Sequence, residues 1–167
     1  MSGAGALLRE SLNSKTSPSN VLNTIQYVLG EEVLETHPIY LIWQNYFDRS
    51  DPFNTNRLMI QQPPSGKTAK HVFMTMGAGD TFAPPPTLAL NAVTLGLGKT
   101  NPVLIDFDGP LVSRPVSKNV MNVTAAAFQY SPSSYDGHFV AQQNPDAIKD
   151  WTAFITSYFS TGTPTVP

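Results

Sequence analysis

Apolar positions recur with helical spacing in three stretches of the chain. Val21, Leu22, Ile25, Val28 and Leu29 fall on one face of a helix predicted over 19–29, at the i, i+3, i+4, i+7 intervals of an amphipathic helix. Pro18 and Ser19 offer a start and Gly30 a stop. Ile39, Ile42, Trp43, Tyr46 and Phe47 form a second stripe, with Thr36 as the expected cap and Pro38 in the first turn. Tyr40 and Leu41 lie off that stripe, so this helix should be buried all round or lie against a pocket. The third stripe, Ala147, Ile148, Trp151, Phe154, Ile155, Tyr158 and Phe159, follows the start signal Asn144-Pro145-Asp146, stops at Gly162 and is expected to be core.

Two apolar runs read differently. His71 to Met76 is compact and ends at Gly77-Ala78-Gly79-Asp80, the pattern of a buried strand entering a glycine-rich turn. Val123 to Tyr130 is a second strand, with Ala125, Ala126 and Ala127 small enough for a helix to pack closely. Between them, Pro84-Pro85-Pro86 excludes strand and helix interior, but Pro86 can open a helix running from Leu88 to Leu97 with Gly98 as its cap. Val103-Leu104-Ile105 is a candidate short strand. Residues 48–70 and most of 99–121 read as loop, with Asp51-Pro52, Pro63-Pro64 and Ser65-Gly66 as turn signals. Buried strands alternating with helices predict an α/β fold, with a mostly parallel sheet flanked by helices in one domain over 1–167.

Composition narrows the function. Charged residues make up 13% of 167 residues and the formal net charge is −2. That is about half the usual charged fraction of ~25%, and it excludes a broad basic footprint for nucleic acid. There is no cysteine, so no disulfide scaffold, thiolate metal site or cysteine nucleophile exists. The three histidines, His37, His71 and His138, show no metal-ligand spacing, and no metal or organic cofactor is expected. No apolar run reaches membrane-spanning length, and the first residues lack the basic start and apolar stretch of a signal peptide.

Two residues stand where chemistry is expected. Asp80 follows the first strand through the glycine-rich turn, and His138 follows the second through Tyr135-Asp136-Gly137. Ligands of open parallel sheets bind beyond the carboxyl ends of the strands. A carboxylate on one such loop can orient a histidine on its neighbour, which is the acid and base of a nucleophilic triad. The plainer readings are an Asx turn at Asp80 and a backbone-bonded loop histidine at His138. Asp136 is an alternative partner for His138, constrained by lying only two residues away. His37 and His71 read as structural.

The segments HVFMTMGAGDTFAPPPT and FQYSPSSYDGHFV, with the helices that follow each, resemble the C-terminal portion of an α/β-hydrolase of the bacterial lipase and esterase kind. The order acid then histidine fits that family. The resemblance implies Asp80 as triad acid and His138 as triad base. It implies an acyl-ester or lipid substrate, a cap or lid-like region over 31–70, and a secreted or periplasmic setting for full-length relatives. Ser2-Gly3-Ala4-Gly5-Ala6 resembles a sheet strand end. No G-x-S-x-G nucleophile elbow occurs, and Ser2 lacks its flanking pattern. The chain is therefore expected to be a fragment, inactive alone.

Two other readings compete. A half-sheet leaves an unpaired edge, which predicts a non-catalytic, self-associating homo-oligomer. The stretch Pro102 to Leu111 resembles the signature of haloacid-dehalogenase-like phosphatases, with Asp106 as nucleophile, Asp108 as acid–base and magnesium as cofactor. Pro110 replaces the threonine expected there, and few residues remain for later metal ligands.

Overall fold

The structure is a computed structural model that describes residues 8–167. Ser2 and the strand-like segment 2–6 lie outside the described residues. Seven α-helices are formed there: α1 (Leu8–Ser14), α2 (Val21–Leu29), α3 (Pro38–Phe47), α4 (Pro52–Thr55), α5 (Pro85–Leu95), α6 (Val140–Gln143) and α7 (Pro145–Thr161). The strands are β1 (Val72–Gly77), β2 (Gly98–Lys99) and β3 (Ala125–Tyr130). They form one parallel sheet in the order β1-β3-β2, with Val72 opposite Ala125 and Gly77 opposite Tyr130.

The central strand β3 is buried along its whole length. Its alternating side chains divide the core. Ala125 and Ala127 join Met74, Met76 and the α5 residues Leu88, Ala92 and Leu95 in one cluster. Ala126, Phe128 and Tyr130 join Val140 and Ala147 in another, with Phe73 and Phe154 packed against it. Phe73 stacks on Phe128 at 4.5 Å between centroids. A third cluster, Leu12, Ile25, Val33 and Tyr40, holds α1 to α3 together.

Local signals explain most boundaries, with four corrections. The side chain of Asn20, not Ser19, caps α2 by accepting from Asn23 N. His37, not Thr36, caps α3: its Nδ1 accepts from Ile39 N at 3.1 Å while Nε2 pairs with Glu31 at 3.0 Å. Helix α5 ends at Gly96, in the left-handed region at φ 75°. Gly98 is instead the first residue of β2, where a Cβ would run into Val112. The strand expected at 103–105 does not form. The buried Gln129 side chain takes its backbone: Oε1 accepts from Leu104 N and Ile105 N at 2.7 and 2.6 Å, and Nε2 donates to Ile105 O at 2.9 Å.

Residues 48–70 also carry more structure than a loop, namely α4 and a 3-10 turn at Asn56–Leu58. Of the two expectations for α3 the pocket applies, whereas the α7 stripe, expected as core, is largely exposed. Of α3 only Tyr40 is buried; Ile42, Trp43, Tyr46 and Phe47 line an open groove of about 570 Å³ with Leu12 and Val21. In α7 the inward face centres on Ala147 and Asp150, and Ile155, Tyr158 and Phe159 are exposed. No helix among the described residues is long and apolar enough to cross a membrane.

Candidate active site

Strand β1 ends at Gly77, and the chain turns through Gly79, whose φ of 70° suits glycine. Asp80 follows, buried, with both carboxylate oxygens engaged. Oδ1 accepts from Phe82 N at 2.9 Å and Ala83 N at 2.7 Å, an Asx turn that leads into α5. Oδ2 faces Nδ1 of His138 at 3.3 Å. The turn reading and the pairing with histidine thus both apply to Asp80, one to each oxygen.

His138 lies in a 3-10 turn, Gly137–Phe139, beyond the end of β3. Its ring stacks on Phe82, with centroids 4.7 Å apart and planes 24° apart, and meets the edge of Phe139 at 5.3 Å. The ring makes no hydrogen bond to backbone. Nε2 has no partner among the described residues, and it is not enclosed: Ser11 Oγ is the one buried, unbonded side-chain polar atom there. A cavity of about 140 Å³ adjoins the ring, lined in part by Thr75, Gly77, Asp80, Gly137 and Gln142.

Asp136 does not contact the imidazole ring through its hydrogen bonds. Its Oδ1 accepts from His138 N at 2.8 Å and Thr81 N at 3.2 Å, and its Oδ2 accepts from Thr81 Oγ1 at 2.6 Å. Burial works against its charge, but these bonds from Thr81 and the His138 amide prevail and hold the carboxyl below its usual range. Thr81 O in turn accepts from the backbone amides of Thr16 and Ser17 at 3.1 Å, tying the chain after α1 to the same turn.

The other candidates lie apart from this cluster. Asp106 is exposed and bonded to Lys99 Nζ at 2.6 Å; that hydrogen bond, with the lysine charge, lowers its pKa. Asp108 is exposed as well, and no strand delivers either residue. His71 Nδ1 accepts from Thr124 N at 2.9 Å at the entry to β1, and His37 caps α3. Among the described residues no group of three His, Asp or Glu side chains converges to hold a metal ion.

A carboxylate that accepts the Nδ1 proton of a histidine leaves Nε2 as a proton acceptor, the arrangement general-base chemistry needs. Reading the sequence singled out Asp80 and His138 but missed Thr81 as the partner of Asp136. It also missed Gly137, whose contact with Gly77 leaves no room for side chains. The signal for Gly137 was its place between an Asx-type residue and the histidine. No protein-family model, curated protein or solved structure matches the chain.

Proposed function

We propose that Asp80 and His138 are the acid and base of an α/β-hydrolase-like carboxylic ester hydrolase acting on acyl or lipid esters. One observation carries the reading. Two loops at the carboxyl ends of neighbouring parallel strands bring Asp80 Oδ2 to 3.3 Å from His138 Nδ1 and leave Nε2 unbonded. With a serine at Nε2, His138 would accept the hydroxyl proton as the oxygen attacks the ester carbonyl, then return it to the leaving alcohol. Asp80 would hold the tautomer and stabilise the imidazolium. No G-x-S-x-G occurs in the 167 residues, so the reading assigns the serine to chain outside them.

The base can be tested without that serine. A neutral imidazole with a bare Nε2 attacks p-nitrophenyl acetate: the acetyl group passes to Nε2, p-nitrophenolate leaves, and water then releases acetate. The reading expects nitrophenolate release that is lost in His138→Ala and falls roughly tenfold in Asp80→Asn. Equal rates in all three proteins would remove it.

A second reading has its own observation. Among the described residues β1 is an edge strand, with a partner on one side only. Val72 N and Ala78 N bond to Thr124 and Tyr130 across β3, so the alternate residues Phe73 and Thr75 turn their backbone groups outward. Such an edge is a template for self-association. Light scattering that shows a monomer across concentration would dismiss it; the phosphatase reading gains no comparable support.

A further inference from the structure

We infer that Asp136 is a positioning residue, which holds His138 and Asp80 in register by bonding across the two loops that carry them. The inference rests on the acid–base reading above and adds a part to it.

Each loop is ordered locally by its own carboxylate. Asp80 Oδ1 organises the turn into α5, and Asp136 Oδ1 caps the Gly137–Phe139 turn by accepting from His138 N. Neither bond fixes one loop relative to the other. The bonds from Thr81 do. Thr81 adjoins Asp80 in sequence, and its amide and hydroxyl both donate to Asp136, 55 residues away. The same Asp136 Oδ1 accepts the amide of His138 itself. One carboxylate therefore joins the backbone of the residue after the acid to the backbone of the base.

The geometry gives this clamp leverage. The His138–Asp80 distance of 3.3 Å is at the outer edge of hydrogen-bond range. A small separation of the loops would break it, whereas a bond of ordinary length would survive. The three hydrogen bonds Asp136 accepts come from Thr81 and the His138 amide, and none from the ring. A carboxylate that stays ionised suits this task, since bonds from N–H and O–H groups to a charged acceptor are roughly twice as strong as neutral ones.

The test reads the His138 ring, which a purely structural role would leave alone. In the 167-residue protein with ¹⁵N-labelled histidine, ring shifts separate Nδ1–H from Nε2–H tautomers. His138 in the starting protein should be Nδ1–H. In Asp136→Ala the neutral ring should shift toward Nε2–H, with a roughly tenfold loss of the His138-dependent nitrophenolate release. The His37 and His71 signals should stay in place and report an intact fold. Retention of Nδ1–H in a folded Asp136→Ala protein would overturn the inference and leave the acid–base reading standing. Where that variant does not fold, Thr81→Val and Thr81→Ser decide. Val removes the hydroxyl bond and should shift the tautomer, while Ser should keep it; identical spectra for the two would overturn the clamp. A starting protein without Nδ1–H would overturn the acid–base reading and the clamp together.

Discussion

Gly77 and Gly137 meet backbone to backbone at the carboxyl end of the sheet. A Cβ on Gly77 would run into the Gly137 carbonyl, and one on Gly137 would lie 2.5 Å from Ala78 O and 2.7 Å from Asp80 N. The end of β1 and the turn that carries His138 can approach this closely only because both residues lack side chains. Alanine at either position should therefore push the loops apart, at a cost of about 1–3 kcal/mol from overpacking. Urea unfolding would measure that loss. Gly137→Ala should also weaken the His138 pairing, because the displaced atoms include the amide of Asp80. Unchanged stability in both variants would mean the contact is looser than described.

Behind the site, Asp150 on α7 is buried and accepts from Arg114 at 2.6 Å and from Tyr130 Oη at 2.8 Å. Arg114 also lies over the Phe128 ring, 4.9 Å from its centroid. Asp150→Ala leaves the buried Tyr130 hydroxyl and part of the guanidinium without a partner. The expected loss is about 2–3 kcal/mol, against about 1 kcal/mol for Tyr130→Phe. Burial, then the Asp150 carboxylate, pushes the Tyr130 pKa up. The folded state thus keeps this proton where the unfolded chain begins to lose it. The contribution is complete below a pH of about 10 and declines as pH rises further. Unfolding of wild type and Tyr130→Phe across pH 9 to 11 (roughly one unit either side of that value) would read the difference.

Acid should act through His71. Burial first, and the charge of Lys118 second, lower its pKa. Its Nδ1 also accepts the Thr124 amide, a bond that protonation there would abolish. The unfolded chain binds the proton more readily, so stability from this residue is intact above a pH of about 6.5 and is lost as pH falls through the lower folded value. His71→Asn keeps an acceptor near that position and does not titrate. Its melting temperature should fall less than that of wild type between neutral and mildly acidic buffer. Parallel declines would assign the acid sensitivity elsewhere.

The Gln129 amide does for residues 104 and 105 what a neighbouring strand would otherwise do. Gln129→Met, similar in shape, removes the acceptor for two amides and the donor for one carbonyl. A loss of about 2–3 kcal/mol is expected, with faster amide exchange at Leu104 and Ile105. Exchange at wild-type rates would show that water replaces the side chain freely.

These residues also show how far the sequence could be read. Helices α2, α3 and α7 were legible because each carries a periodic apolar stripe and a punctuating residue such as Gly30, Pro38 or Asn144, and strands β1 and β3 because each is a compact apolar run. Val103-Leu104-Ile105 misled because three apolar residues cannot reveal that a glutamine 24 residues away will satisfy their backbone. Gly98 misled for a similar reason: the close approach of Val112 that requires glycine there is a tertiary contact. The apolar stripes of α3 and α7 predicted helices correctly but not how much of each would stay exposed. At the candidate site, Asp80 and His138 could be named from their places after strands. The link between Thr81 and Asp136 spans 55 residues and has no local signature.

The most direct measurement is the tautomer of His138 in the neutral protein, read from ¹⁵N ring shifts with Asp80→Asn as reference. The account predicts Nδ1–H with a bare Nε2 in wild type, and a shift toward Nε2–H once Asp80 can no longer accept as a carboxylate. An Nε2–H ring in wild type, or a ring indifferent to Asp80→Asn, would contradict the assignment of these two residues as an acid–base pair.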